Sequence, residues 1–138
     1  MSKKYTIYSV KRVVDGDTVD LILDLGFGIL YTQRIRLLGI DTPESRTSDV
    51  TEKIYGTIAK HELEKWCEKP HIELRCDSKD SRGKFGRVLG EIWVYENEEW
   101  INVNQWLCDN HFAVPYHGQN KKTIEALHLE NRTKITLL

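Results

Sequence analysis

Charged residues of opposite sign flank an apolar run in the stretch RIRLLGIDTPE, residues 34–44. Arg34 and Arg36 precede the run, and Asp41 and Glu44 follow it across a proline. A surface ion pair is one explanation of this pattern. A site that binds a metal ion and a phosphate together is the other, because carboxylate oxygens bind hard cations and guanidinium groups bind phosphate.

Two aspartates in the earlier stretch VVDGDT, residues 13–18, surround a glycine. Asp15-Gly16 is a tight-turn signal, and Asp17 follows where the chain enters an apolar run. Asp17 and Asp41 therefore both lie at expected strand ends. A barrel can bring two such strand ends together.

Five segments are predicted to be strands: residues 5–14, 18–25, 30–40, 71–77 and 87–95. They are rich in β-branched and aromatic residues or alternate apolar and polar side chains. In the third strand, Ile35 and Leu37 share one face, and Arg34 and Arg36 share the other.

Helical spacing predicts three helices, over residues 51–69, 103–110 and 121–132. Pro70 ends the first, and the last turns Ile124, Leu127 and His128 towards the protein. Five strands with one helix between the third and fourth is the element order of an OB-fold. We therefore expect an α+β protein, a five-stranded OB-fold β-barrel with about three helices, and one domain over residues 1–138.

The composition is that of an ordinary soluble domain, with 40% apolar and 30% charged residues in 138. The formal net charge of -1 argues against a strongly basic DNA coat protein, although a nuclease needs positive charge only locally. Three widely spaced cysteines favour neither a disulfide framework nor structural zinc.

The first residues lack the apolar core of a signal peptide, and no apolar run reaches the length of a membrane span. The sequence therefore predicts a cytoplasmic protein with no membrane partner. A phage or a mobile element as the source of the gene is a further hypothesis. No obligate protein partner is evident, so we expect a monomer.

Four short pieces together carry a family resemblance: VVDGDT, RIRLLGIDTPE, EKIYG (residues 52–56) and KFGR (residues 84–87). In this order and spacing they resemble the staphylococcal nuclease (thermonuclease) family over residues 10–114. The resemblance implies a calcium-dependent phosphodiesterase that acts on DNA, with single strands preferred, and it leaves RNA open as a further substrate. It further implies attack by water on phosphorus and products that end in 3'-phosphate.

The resemblance assigns a calcium ion to Asp17, Asp41 and the backbone carbonyl of Thr42. The chemistry of these residues agrees with the assignment, because calcium prefers oxygen ligands. Thr42 precedes a proline, which favours an extended backbone and can turn its carbonyl out of the sheet.

The resemblance also supplies the remaining roles. Arg36 and Arg87 match the phosphate-binding arginines, whose planar fork donates two parallel hydrogen bonds. Glu44 matches the candidate general base, which takes a proton from the attacking water. Lys84 matches a lysine near a terminal phosphate, and Tyr116 a tyrosine of the nucleotide pocket. Three carboxylates against two guanidiniums leave this set net negative, so the sequence predicts that a divalent cation is needed to attract a phosphodiester.

Three departures from the best-known secreted family members concern substrate binding. Gly118 stands where they have a second pocket tyrosine, and Phe85 replaces a tyrosine in the KxGR loop. Residues 45–53, SRTSDVTEK, replace a lysine-rich stretch. We expect a weaker or different hold on the substrate rather than loss of the chemistry.

Two other functions remain open at this point. A non-catalytic OB-fold module would bind nucleic acid or a protein without needing a metal. A purely structural domain would use the same charges as surface pairs, so that Asp41→Ala would change neither activity nor calcium affinity. Each charged residue taken singly has such an ordinary explanation. The complete set Asp17, Arg36, Asp41, Glu44 and Arg87 favours the enzyme.

Overall fold

The computed structural model describes residues 2–77 and 87–137. Within these ranges the chain forms strands and helices in the order that the sequence predicts, with short strands added. The strands are β1 (Ser2–Asp15), β2 (Thr18–Asp24), β3 (Leu30–Leu37), β4 (Ile40–Asp41), β5 (Ile72–Asp77), β6 (Val88–Glu96), β7 (Glu99–Asn102) and β8 (Val114–Pro115). The helices are α1 (Val50–Cys67), α2 (Val103–Asp109) and α3 (Lys121–Arg132).

Five strands close into a barrel in the order β3-β2-β1-β5-β6. Neighbours in this order are antiparallel, and a parallel pairing of β3 with β6 completes the ring. The predicted α+β class, the five-stranded OB-fold barrel and the three helices are confirmed. The closing pair sets Ile35 opposite Val88 and Arg36 opposite Leu89, so the start of β6 lies against the end of β3.

Alternation along β2 and β3 fills the barrel, as predicted. Val19, Leu21 and Leu23 of β2 point inward and are almost completely buried. Ile35 and Leu37 do the same in β3, which directs the two arginines of β3 to its other face. Burial of such side chains supplies most of the driving force for folding.

The predicted strands end earlier than expected at two places. Leu25 lies beyond β2 and is exposed, because the chain turns at Gly26 with a positive φ of 89°. The predicted strand over residues 30–40 breaks at Gly39, whose φ of 80° belongs to the left-handed region that glycine tolerates. The two-residue strand β4 follows this break and pairs with β8.

Helix α1 covers one side of the barrel. Its first turn is capped by Asp49, whose side chain accepts a hydrogen bond of 3.1 Å from the amide of Glu52. Ala59, Leu63 and Trp66 form its buried face. The helix thereby fixes the loop that precedes it, which carries Thr42 and Glu44.

Helix α3 is attached differently, because none of its residues is fully buried. Ile124, Leu127 and His128 are half-buried, as the spacing predicts. The side chain of Asn131 donates a hydrogen bond of 3.0 Å to the carbonyl of Ala113. The guanidinium of Arg132 lies 5.3 Å from the centre of the Tyr55 ring. Side-chain contacts of this kind hold α3 against the barrel.

Candidate active site

One guanidinium joins two carboxylates at the end of the barrel. Nη2 of Arg36 lies 3.4 Å from Oδ2 of Asp17 and 3.4 Å from Oδ1 of Asp41. Nη1 donates a hydrogen bond of 3.0 Å to the carbonyl of Leu37, which fixes the guanidinium plane. Only 12% of the Arg36 side chain is exposed. The turn after β1, the end of β3 and strand β4 thus bring three predicted site residues together.

Asp17 is a buried carboxylate held by two donors. The hydroxyl of Thr18 donates to its Oδ1 over 3.0 Å, and the amide of Thr42 donates to its Oδ2 over 3.1 Å. Burial is the largest influence on the pKa of Asp17 and raises it; Arg36 and the Thr42 amide oppose this, and the charge of Asp41 adds to it. Ionising Asp17 is therefore costly unless a further cation is present.

The oxygens of this cluster fit the chemistry of calcium. Asp17 and Asp41 carry carboxylates, and Thr42 is buried and donates its amide hydrogen to Asp17. The hydroxyl oxygen of Thr42 is also buried and has no hydrogen-bond partner among the described residues. In the same residues no group of three or more His, Cys, Asp or Glu side chains forms a metal cluster. A hard cation that accepts carbonyl and water ligands suits two carboxylates better than zinc does.

Glu44 lies in the loop that follows, with its side chain exposed. Its amide donates a hydrogen bond of 3.0 Å to Oε2 of Glu52. Partial desolvation is the largest cause that raises the pKa of its carboxyl, followed by the negative charges of Asp15, Asp17, Asp41 and Glu52. Glu44 therefore belongs electrostatically to the same cluster, and its proton affinity is higher than that of an ordinary glutamate.

Gly56 lets the Glu44 loop lie directly on α1. A Cβ at this position would collide with the carbonyl group of Glu44 and would lie 2.7 Å from the amide nitrogen of Ser45. All of these atoms are backbone, so no side-chain rotation relieves the overlap. The absence of a side chain at Gly56 thus allows the backbone of the loop to pack directly against the helix.

We expect Gly56→Ala to destabilise the protein by about 1–3 kcal/mol, as overpacking does, although alanine is the better helix former. The shift of Glu44 should also lower any metal-dependent activity. Urea denaturation measures the first effect, and a calcium titration of activity measures the second. Lys53→Ala, at an exposed position on the same helix, is the matched control. A Gly56→Ala protein as stable and active as this control would contradict the proposed loop contact.

Arg87, Tyr116 and Lys84 are the remaining predicted site residues. Arg87 is exposed and directly precedes β6, whose first residue, Val88, pairs with Ile35 of β3. Tyr116 is 40% exposed, and its amide donates a hydrogen bond of 2.8 Å to the carbonyl of Gly39. Lys84 lies outside the described residues.

The structure adds two residues that the motifs do not assign. Nε2 of His128 in α3 lies 2.8 Å from Oδ2 of Asp41, where a protonated nitrogen donates to the carboxylate. Asp15 accepts hydrogen bonds from the amide and the hydroxyl of Ser45, which ties the Glu44 loop to the β1–β2 turn. Helical spacing places His128 on the buried side of α3, but its partner is 87 residues away. The sequence Asp15-Gly16 predicts a turn, and this pattern gives no indication that the Asp15 carboxylate has a hydrogen-bond partner.

A closed five-stranded barrel with a charged cluster at one end defines a protein of the OB-fold class. A model of the family described as "Staphylococcal nuclease homologue" matches residues 34–135. The chain belongs to this family, which confirms the resemblance.

Individual relatives agree with the family assignment. The chain is 33% identical over 96 residues to a thermonuclease of Staphylococcus intermedius. The aligned region covers 70% of this chain and 52% of that protein. The chain is 30% identical over 92 residues to endonuclease YncB of Bacillus subtilis, 67% of this chain and 41% of that protein. An uncharacterized protein of Methanocaldococcus jannaschii is 30% identical over 142 residues, with 91% and 66% covered. The chain thus spans about half the length of the thermonuclease that it matches.

Among the described residues, no helix is both long enough and apolar enough to cross a bilayer.

Proposed function

We propose that this protein is a calcium-dependent nuclease that hydrolyses phosphodiester bonds of DNA, with RNA as a second substrate. Single strands are preferred, and the products end in 3'-phosphate. The observation that carries the proposal is the position of Arg36 Nη2 at 3.4 Å from both Asp17 and Asp41. A guanidinium at that point would allow one phosphate to contact both Arg36 and a cation held by the two carboxylates. Relatives named thermonuclease and endonuclease support the same class of reaction.

Each residue has a defined part in this proposal. Asp17, Asp41 and the carbonyl of Thr42 hold the calcium ion, which when bound polarises the phosphate and helps to orient water. Arg36 and Arg87 donate to the non-bridging phosphate oxygens, whose negative charge grows in the transition state. Glu44 accepts the proton of the attacking water, for which its raised pKa makes it a stronger base.

Two more residues bind the substrate in the proposal, and one positions a metal ligand. Lys84 contacts a terminal phosphate and Tyr116 contacts the nucleotide. His128 holds one oxygen of Asp41 by its hydrogen bond, which leaves the other oxygen to face Arg36 and would fix the orientation of this carboxylate for a metal ion. This last contact adds a supporting residue to the set that the motifs give.

The decisive experiment is a calcium titration with a short single-stranded DNA. We expect wild type to bind calcium and cut the strand, and calcium at about 100 times its Kd to stabilise the protein by about 2.7 kcal/mol. Asp41→Asn should lose calcium binding in calorimetry, the calcium-induced rise in Tm and the cutting. Asp20→Asn is the control, because Asp20 pairs with Arg34 on the outer face of the barrel.

The outcomes separate the candidate functions. Calcium binding without cutting by wild type would favour the non-catalytic binding module over the nuclease. A wild-type protein that neither binds calcium nor cuts would refute the proposal. Equal behaviour of Asp41→Asn and Asp20→Asn would remove Asp41 from the site.

A further inference from the structure

An open cleft of about 470 Å³ lies between β1 and α1, beside the candidate active site. Four of its described lining residues are basic: Lys11 and Arg12 from β1, Arg46 from the loop and Lys60 from α1. Glu64 is the one acidic residue among those lining residues. These four basic residues define the basic cleft.

The charge of the basic cleft contrasts with that of the whole chain. The protein carries a formal net charge of -1, whereas the cleft has four cations against one carboxylate. In the described part of the chain, no salt bridge pairs Lys11, Arg12 or Lys60. The carboxylate of Asp20, opposite Arg12 on β2, interacts with the charges of Arg12 and Lys11 but is itself ion-paired with Arg34. Arg46 is 66% exposed, and its Nη2 is 3.9 Å from Oδ2 of Asp15, a long contact that offsets little of its charge. The cleft is therefore a local source of positive potential.

The basic cleft is close to the candidate active site, as the contacts of the loop and the β1–β2 turn show. Arg46 follows Glu44 by two residues, and Ser45 between them is hydrogen-bonded to Asp15 of the β1–β2 turn. A Cβ at Gly16 in that turn would lie 2.7 Å from Cβ of Ala59, so the turn packs on α1 next to Lys60. The β1–β2 turn thus lies between the cleft and the carboxylate cluster.

We propose that the basic cleft binds the phosphates of a nucleic-acid single strand on one side of the bond that is cut. This inference rests on the proposed nuclease function and extends its substrate from one phosphodiester to several nucleotides. Lysines and arginines in an open cleft contact phosphates irrespective of base sequence. The described lining residues include no aromatic ring, so the cleft binds the backbone rather than stacking bases.

The length dependence of binding tests the cleft. Binding of single-stranded DNA from two to about twelve nucleotides is followed by fluorescence anisotropy with calcium, in a Glu44→Gln background that limits cutting. The test variant is Lys11→Gln with Lys60→Gln. The control is Lys3→Gln with Lys4→Gln, which removes the same charge from exposed positions of β1, roughly 23 Å from Lys11.

We expect the test variant to bind the longest strand on the order of tenfold more weakly than the control, and the difference to vanish for the dinucleotide. Loss of two phosphate contacts should lower the slope of log Kd against log salt by about 1.4. Equal affinity and equal salt slope for the two variants would overturn the proposal, as would a loss that is the same at every strand length.

Failure of the inference is distinguishable from failure of the proposed function. The anisotropy measurement depends on binding and not on cutting. If wild type cuts no strand, the nuclease proposal fails whatever the cleft binds. If wild type cuts short and long strands and Lys11→Gln with Lys60→Gln binds them as the control does, the nuclease stands and the cleft proposal falls.

Discussion

Replacing Arg36 with alanine is expected to lower kcat for single-stranded DNA by about 10³- to 10⁵-fold, the range found for arginines that stabilise phosphoryl transfer. The side chain is mostly buried and fixed by the Leu37 carbonyl, so its donors are already oriented when a phosphate arrives. Steady-state kinetics at saturating calcium measure the effect. Arg36→Lys should recover little, because an ammonium keeps the charge and loses the planar fork.

A measurement of calcium affinity distinguishes an arginine that stabilises the phosphate from a residue that holds the metal. Removing the guanidinium leaves Asp17 and Asp41 without their shared cation, so Arg36→Ala should bind calcium at least as tightly as wild type. Its metal-free form should be less stable for the same reason. Calorimetry and urea denaturation measure these two effects. An Arg36→Ala protein with wild-type kcat would remove Arg36 from the chemistry.

Arg34 provides a control two residues away on the same strand. Its Nε donates to Oδ1 of Asp20 over 2.7 Å, and half of its side chain is exposed. Exposed pairs of this kind contribute about 0–1 kcal/mol to stability. Arg34→Ala should therefore retain activity within a few-fold of wild type.

Replacing Glu44 with glutamine is the second change with a large expected effect, a loss of about 10²- to 10⁴-fold in kcat. Glutamine keeps the shape of the side chain and cannot accept the proton of the attacking water. Calcium affinity should change far less than kcat, because Glu44 is not among the proposed calcium ligands. An unchanged kcat would assign the proton transfer to another group.

The metal-free protein gives a second measurement at Glu44. The raised pKa of the Glu44 carboxyl means that this group binds its proton more tightly in the folded state than in the unfolded state. Stability therefore falls as pH rises from the ordinary glutamate value through the raised value, and the cost persists above it. Glu44→Gln abolishes this cost, so in chelator it should be at least as stable as wild type near neutral pH, with the difference shrinking in acid. Urea denaturation midpoints across this pH range measure the difference. A variant less stable than wild type near neutral pH would contradict the raised pKa of Glu44.

Local patterns were sufficient for most of the barrel. Period-two alternation predicts the buried faces of β2 and β3, and helical spacing with Pro70 predicts α1. The closing pair β3–β6 could not be read in this way, because a parallel pairing between distant strands leaves no periodic signal in either. The element order of an OB-fold, rather than periodicity, supplied the expectation of a closed barrel.

The two arginines of β3 have different partners, and the sequence pattern alone does not predict this difference. Arg34 and Arg36 have the same charge, the same face and adjacent positions in the alternation, yet one forms a surface ion pair and the other joins two carboxylates. The difference comes from register. Arg34 is directly opposite Asp20 on β2, whereas Arg36 is opposite Thr18, at the end of the strand and within reach of Asp17. The stretch RIRLLGIDTPE thus contains both a surface ion pair, formed by Arg34, and a guanidinium that joins two carboxylates, formed by Arg36.

Helix α3 also has a consequence for the stability of the site itself. An element with no fully buried residue opens locally at a small fraction of the global free energy of unfolding. Each opening withdraws His128 from Asp41 and frees that carboxylate to rotate. If calcium binds Asp41 as proposed, its binding and the closed state of α3 would favour one another, and by thermodynamic linkage each would strengthen the other to the same degree.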